Sequence, residues 1–144
     1  MSQTCDVARI HQEDMLQTFA LMPRRKYEAD GGPGVARIAQ RLRSAVGEEA
    51  VDRFVEAVVT NYLLGAPDGH AKNYSLLLAG PGVRFAPLYD VSTGLIPDTA
   101  GRLRYRSVAQ SIGGEKRFGE VEAKHWVAFA DVCSPTSCCR TSGR

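Results

Sequence analysis

The sequence lacks any long apolar run. Its 144 residues are 44% hydrophobic, yet no window reaches the roughly 18 consecutive apolar residues that a membrane-spanning helix requires. The first residues, MSQTCDVARIHQED, carry charges and have no apolar core of the length that a signal peptide needs. The sequence therefore predicts a cytoplasmic protein with no membrane partner.

The chain also lacks an excess of charge of one sign. Its 18 basic and 16 acidic residues leave a net charge of +2, and lysine and arginine gather only in short clusters at residues 24–26 and 102–106. Proteins that bind nucleic acid through phosphate contacts usually show a basic stripe. Nothing in the sequence indicates direct contact with DNA or RNA.

Cysteine pairs with metal-binding spacing are missing as well. The four cysteines form no CxxC motif, and three of them fall in the last twelve residues. They are Cys5, Cys133, Cys138 and Cys139. In a reducing cytosol such cysteines are typical of free thiols, and we predict no catalytic role for them.

The length of the chain favours a single domain. Residues 1–132 have the composition of a folded domain, whereas residues 133–144, which end in SPTSCCRTSGR, share neither its pattern nor its composition. We expect residues 133–144 to form a disordered tail outside the fold.

Apolar periodicity predicts four helices, a hairpin and one more strand. Helical spacing covers residues 9–19, 35–46, 48–64 and 120–130. Two β-prone runs at residues 74–78 and 83–88 flank the turn AGPG and predict a hairpin, and a further strand is expected at residues 105–111. The glycine-rich stretch DGGPG at residues 30–34 lacks the Lys-Ser/Thr that follows a phosphate-binding loop, so we interpret it as a structural turn.

Three polar residues around the predicted hairpin could carry chemistry. Asp68 and Asn73 stand five positions apart, as do the Asp and Asn of the protein-kinase catalytic loop, and Asp90 follows the second strand. Phosphoryl transfer needs a carboxylate near the nucleophile and oxygen ligands for Mg²⁺, which these side chains supply. Lys72 could meet the transferring phosphate as a point charge. Taken alone, Asp68 and Asn73 are also typical turn residues.

Four longer segments give the pattern its specificity. The strings RIHQEDMLQTFALMPRRKYEADGGPG, GAPDGHAKNYSLLL, VRFAPLYDVSTG and SIGGE resemble, in order, the signature segments of the HipA family of serine/threonine kinases. The resemblance implies an α+β fold, mainly α-helical, like the C-terminal lobe of a protein kinase, with a β-hairpin that carries the catalytic and metal-binding residues.

The same resemblance implies roles for individual residues. Asp68 corresponds to the catalytic base, Asn73 and Asp90 to the ligands of Mg²⁺ and its ATP, and Lys72 and His70 to their neighbours in the catalytic loop. Of these, we favour a loop-bracing role for His70 over proton transfer, since Asp68 already fills the position of the base.

The resemblance also implies partners. HipA kinases are toxins of bacterial toxin–antitoxin pairs, so we expect a protein substrate, with an aminoacyl-tRNA synthetase as the family's example. We further expect a helix-turn-helix antitoxin, through which the protein would meet DNA only indirectly.

The nucleotide-binding lobe of such kinases has no counterpart in the sequence. No strand with a phosphate-contacting lysine and no glycine-rich nucleotide loop precedes Arg9, so we expect a truncated, weakly active or inactive kinase whose uncovered apolar surface favours self-association. The alternative is a non-catalytic fragment that binds the antitoxin or an intact toxin. A small-molecule phosphotransferase shares the Asp and Asn spacing, but the flanking strings fit it less well.

Overall fold

The computed structural model describes residues 9–80 and 82–135, which form an α+β fold as the sequence predicts. Its elements are β1 (His11–Asp14), α1 (Met15–Thr18), α2 (Val35–Ala45), α3 (Glu48–Leu63), β2 (Ser75–Ala79), β3 (Gly82–Phe85), β4 (Ser107–Ile112), β5 (Glu115–Arg117) and α4 (Ala123–Cys133). Three short 3₁₀ helices, Pro23–Arg25, Glu28–Asp30 and Ala71–Asn73, lie between them.

Helices α2 and α3 form the centre of the core. Their buried positions repeat at the helical spacing that the sequence shows, with Val35, Ile38, Ala39 and Leu42 on α2 and Ala50, Val51, Phe54, Ala57 and Val58 on α3. Gly47, at φ 128°, separates the two helices. Both predicted helices are confirmed to within two residues at each end. Continuous apolar stripes explain this success, because they are local features of the sequence.

The prediction of a helix over residues 9–19 is wrong in its first half. Residues 11–14 form strand β1, which pairs antiparallel with β2 from His11 opposite Leu78 to Asp14 opposite Ser75. Only the single turn of α1 follows, and Ile10, which the helical pattern places on the apolar face, is 50% exposed. Pairing with a strand more than 60 residues away determines the conformation here, and local periodicity cannot reveal it.

The predicted hairpin is present as β2 and β3, which complete a three-stranded sheet in the order β1-β2-β3. Strand β3 ends at Phe85, three residues before the predicted end. Phe54 of α3 contacts the rings of Tyr74 and Phe85 edge-on, at centroid distances of 4.9 and 6.4 Å. The sheet is therefore joined to the helical core immediately after the candidate catalytic loop.

Strands β4 and β5 form a second, two-stranded sheet. The sequence predicts β4, at residues 105–111, but not β5, whose three residues EKR have no apolar alternation. The turn between them contains Gly113 at φ 55°, and a Cβ at this position would lie 2.1 Å from the carbonyl oxygen of His125. The second sheet thus packs closely against α4.

Helix α4 begins and ends three residues later than predicted. The side chain of His125 accepts a hydrogen bond from the backbone N–H of Glu122, which places the start of the helix after Glu122. The helix ends at Cys133, so the first residue of the predicted tail is helical. Residues 136–144, with Cys138 and Cys139, lie outside the described residues, as does Cys5.

Within residues 9–80 and 82–135, none of the helices has both the length and the apolar character that crossing a membrane requires.

Candidate functional site

The loop between α3 and β2, residues 65–74, contains most of the candidate site. Asn61, near the end of α3, accepts a hydrogen bond from the backbone N–H of Ala66 at 2.8 Å and donates one from its side-chain amide to the Tyr74 hydroxyl at 3.0 Å. Asn61 and Tyr74 are both buried, and burial raises the pKa of Tyr74 to about 12. The two ends of the loop are therefore joined inside the core.

Asn73 and Asp90 meet at one end of the loop. The side-chain Nδ2 of Asn73 donates a hydrogen bond to Oδ2 of Asp90 at 3.0 Å. Asn73 is buried, and its Oδ1 has no hydrogen-bond partner among the described residues. Asp90 has a left-handed backbone at φ 57°, an uncommon conformation that Asp tolerates better than most residues. The structure thus brings together the two residues that the sequence predicts as metal ligands.

Tyr89 holds Asp90 beside the loop. Its hydroxyl donates to the carbonyl oxygen of Lys72 at 2.6 Å. Because this uses the only proton of that hydroxyl, the Ser75 hydroxyl is the donor in the 2.5 Å contact between Ser75 and Tyr89. The segment that follows β3 is thereby bound to the end of the loop.

Asp68 lies on the same loop with its side chain 51% exposed. Its Oδ1 accepts a hydrogen bond from the Tyr27 hydroxyl at 2.5 Å and lies 3.7 Å from Nε2 of His70 and 4.0 Å from Nζ of Lys26. The hydrogen bond to Asp68, with burial as the smaller cause, raises the pKa of Tyr27 to about 12. Tyr27 therefore remains a hydrogen-bond donor at neutral pH.

His70 lies buried beneath Asp68. Burial lowers the pKa of His70 against the opposing effect of the Asp68 carboxylate, so the ring is neutral at pH 7. Its Nδ1 has no partner among the described residues, and its ring meets that of Tyr27 edge-on at 5.2 Å. These contacts favour the bracing role over proton transfer.

Lys72 is held by a residue outside the loop. Its Nζ lies 2.6 Å from Oδ2 of Asp14, whose other oxygen accepts the backbone N–H of Gln17 and so caps α1. The side chain of Asp14 is only 13% exposed, whereas that of Lys72 is 39% exposed, so the ion pair lies at the edge of the core. Contact between Lys72 and a phosphate would require the ammonium group to leave Asp14 or to be shared with it.

The donor set fits a magnesium ion that is bound jointly with phosphate. Within the described residues, no group of three or more His, Cys, Asp or Glu side chains is placed to hold a metal. Magnesium, however, keeps several waters and takes one or two protein ligands together with phosphate oxygens. The unpartnered Oδ1 of Asn73 beside the Asp90 carboxylate matches this requirement.

Sequence reasoning missed the residues that support the site from a distance. Tyr27 and Lys26 lie 41 and 42 positions from Asp68, Asp14 lies 58 from Lys72, and Asn61 lies 13 from Tyr74. Asp14, Lys26 and Tyr27 do fall in the string that resembles the HipA family, so a signal was present at these positions, but no spacing rule indicates their contacts.

The chain is similar to known proteins over most of its length. A family model described as "HipA-like C-terminal domain" matches residues 2–142. A curated relative from Sinorhizobium fredii, named "Putative kinase Y4mE", is 35% identical over 127 residues, which are 86% of this chain and 29% of the relative.

A solved structure has a similar fold. It is the complex of HipA, HipB and operator DNA from the toxin–antitoxin system of Shewanella oneidensis MR-1. One chain of that complex matches with a TM-score of 0.77 and 22% sequence identity, and the match covers 92% of this chain and 33% of that chain. The chain thus spans about a third of the length of the relatives that it matches.

Proposed function

We propose that this chain, which belongs to the family of HipA-like C-terminal domains, carries the acceptor and metal-binding side of an ATP- and Mg²⁺-dependent serine/threonine protein kinase. The observation behind the proposal is the pairing of Asn73 with Asp90 at 3.0 Å, where Asn73 lies on the same loop as the exposed carboxylate of Asp68. The name of the relative, a putative kinase, supports the same activity.

Each residue has one task in the proposed reaction. Asp68 accepts the proton of the attacking serine or threonine hydroxyl, because its carboxylate is exposed on the catalytic loop. Asn73 and Asp90 would hold Mg²⁺, which supplies charge neutralisation for the phosphates of ATP. His70 braces the loop beneath Asp68, and Lys72 stays on Asp14 until a phosphate competes for its ammonium group.

We propose a helix-turn-helix antitoxin of the HipB type as the protein partner, with DNA bound only through it. The structural neighbour is a complex of HipA with HipB and operator DNA. An aminoacyl-tRNA synthetase is the substrate that the family resemblance favours. Both proposals concern the whole protein, since the chain matches only about a third of its relatives.

A non-catalytic binding module is the second candidate. Large apolar side chains are exposed at the end of α3 and in the segment after Asp90, among them Leu63 and Ile96, each 71% exposed. Apolar surface of this kind is typical of sites where another protein docks. A chain that binds the antitoxin or an intact toxin without any phosphoryl transfer would match this candidate.

The proposed metal site can be tested with Mn²⁺ as a paramagnetic substitute for Mg²⁺. In the presence of ATP, Mn²⁺ should broaden the NMR signal of the Asn73 side-chain amide in the wild-type chain. The Asp90→Ala variant should abolish this effect, whereas Asp52→Asn, which changes an exposed carboxylate on α3, should leave it intact. Broadening that persists in Asp90→Ala would contradict the proposal.

A further inference from the structure

We propose that Tyr27 is a positioning residue for Asp68, which it fixes so that one carboxylate oxygen is bound and the other is presented to the acceptor hydroxyl of the substrate. The inference rests on the proposed role of Asp68 as proton acceptor and deepens it. Tyr27 lies 41 residues before Asp68 and outside the catalytic loop.

The two oxygens of Asp68 have different surroundings. The hydrogen bond from Tyr27 goes to Oδ1, and this oxygen also lies 3.7 Å from Nε2 of His70 and 4.0 Å from Nζ of Lys26. No donor among the described residues reaches Oδ2, although the side chain is half exposed. The carboxylate therefore has one occupied oxygen and one that is free to accept a proton.

The backbone around Tyr27 is fixed from two directions. The carbonyl oxygen of Lys26 accepts a hydrogen bond from the N–H of Ala71 in the catalytic loop at 3.1 Å, and that of Tyr27 accepts one from the N–H of Gly32 at 2.9 Å. A Cβ on Gly32 would lie 2.7 Å from the Tyr27 oxygen, so only glycine fits there. Tyr27 is thus held by the loop whose carboxylate it contacts.

The residue after Tyr27 anchors the segment to the second sheet. The Glu28 carboxylate accepts hydrogen bonds from the N–H and the hydroxyl of Ser111 at 3.0 and 3.1 Å and lies 2.8 Å from Nζ of Lys116. The side chain of Glu28 is 20% exposed. Because Glu28 is bound to β4 and to β5, the segment that carries Tyr27 is held in place before any substrate arrives.

Preorganisation of this kind acts on turnover. Without the Tyr27 hydrogen bond, the Asp68 carboxylate rotates about its side-chain torsions, and its free oxygen points at the substrate hydroxyl for less of the time. Small misplacements of a catalytic group can lower rates on the order of 100-fold. The ring of Tyr27, which contacts His70 and Lys26, is retained in Tyr27→Phe. This variant therefore removes only the hydroxyl.

The contact can be tested without any enzymatic activity, by ¹³C NMR of the whole chain with labelled tyrosine rings. Tyr27 and Tyr74 both have a pKa of about 12, but Asp68 is the main cause for Tyr27 whereas burial is the cause for Tyr74. In the wild-type chain both rings should stay largely protonated at about pH 11. In Asp68→Ala, Tyr27 should be largely ionised at this pH while Tyr74, the internal control, stays protonated.

The catalytic consequence has its own measurement. In phosphoryl transfer to casein, Tyr27→Phe should lower kcat on the order of 100-fold, leave KM for ATP unchanged and leave the Mn²⁺ effect at Asn73 unchanged. A Tyr27 ring that ionises near pH 10 in the wild-type chain would overturn the inference, as would an unchanged kcat in Tyr27→Phe. If the wild-type chain transfers no phosphate, the proposed function fails, and the NMR titration still decides whether Tyr27 holds Asp68.

Discussion

Gly69 shows how tightly the candidate loop is packed at the level of single residues. A Cβ at this position would lie 2.6 Å from Nδ2 of Asn61 and 3.3 Å from the hydroxyl of Tyr74. These two buried groups are hydrogen-bonded to each other, so neither can move without loss of that bond. Gly69 is therefore required by the close approach of the loop to α3.

Gly69→Ala should destabilise the chain by about 1–3 kcal/mol, because overpacking a filled site forces its neighbours to shift. The matched control is Gly82→Ala, since a Cβ on Gly82 would find only the carbonyl oxygen of Ala79, at 4.0 Å. The control should change the free energy of unfolding by less than about 0.5 kcal/mol. Urea denaturation of both variants measures the difference, and equal costs would refute the packing account.

The chemistry of individual residues was partly readable from the sequence. The spacing of Asp68, Asn73 and Asp90 indicated a phosphoryl-transfer site, and the structure brings Asn73 and Asp90 together. The contact of Asp68 with Tyr27 could not be predicted, because it depends on how two segments 41 residues apart pack against the core. Whether these residues catalyse the reaction remains a prediction.

At the scale of elements, the junction of β1 and α1 joins the sheet to the catalytic loop through one carboxylate. Asp14 ends β1, caps α1 with one oxygen and binds Lys72 with the other. Gln17 completes a capping box by accepting the backbone N–H of Asp14 at 2.9 Å. A single side chain thus caps the start of α1 and forms an ion pair with the catalytic loop.

Two substitutions separate these contributions. Asp14→Asn keeps an acceptor for the cap and loses the charge, so it should cost up to about 1 kcal/mol, since the ammonium of Lys72 is partly exposed. Asp14→Ala also removes the cap and should cost about 1 kcal/mol more. Urea denaturation measures the free energy of unfolding of both variants, at low salt and at high salt, which screens the ion pair. If Asp14→Ala loses no more stability than Asp14→Asn, the cap contributes nothing.

Elements were predictable from the sequence where local patterns decide them. Helices α2 and α3 carry unbroken apolar stripes, and the β2–β3 hairpin has a glycine-rich turn. Strand β1 was mistaken for helix because β2, its partner, is remote in sequence. Strand β5 was missed because its three polar residues become a strand only through pairing with β4.

At the scale of the whole molecule, the core determines where the candidate site lies. Helix α3 anchors the loop through Asn61, the first sheet carries it through Tyr74 into β2, and the second sheet fixes the segment of Tyr27 through Glu28. The sequence predicted the α+β class, but not how helix α3 and the two sheets pack together around the loop. The predicted self-association through exposed apolar surface stays a prediction.

If Asp68, Asn73 and Asp90 form one site for phosphoryl transfer, the chain should transfer γ-labelled phosphate from ATP to casein or to itself. With Mg²⁺, the wild-type chain and the Asp52→Asn control should label serine or threonine, at the low rate expected of a chain that spans about a third of its relatives. Asp68→Asn and Asp90→Asn should each reduce labelling by at least about 100-fold, with folding confirmed by circular dichroism. Equal labelling by the site variants, or none by the wild-type chain, would contradict the account.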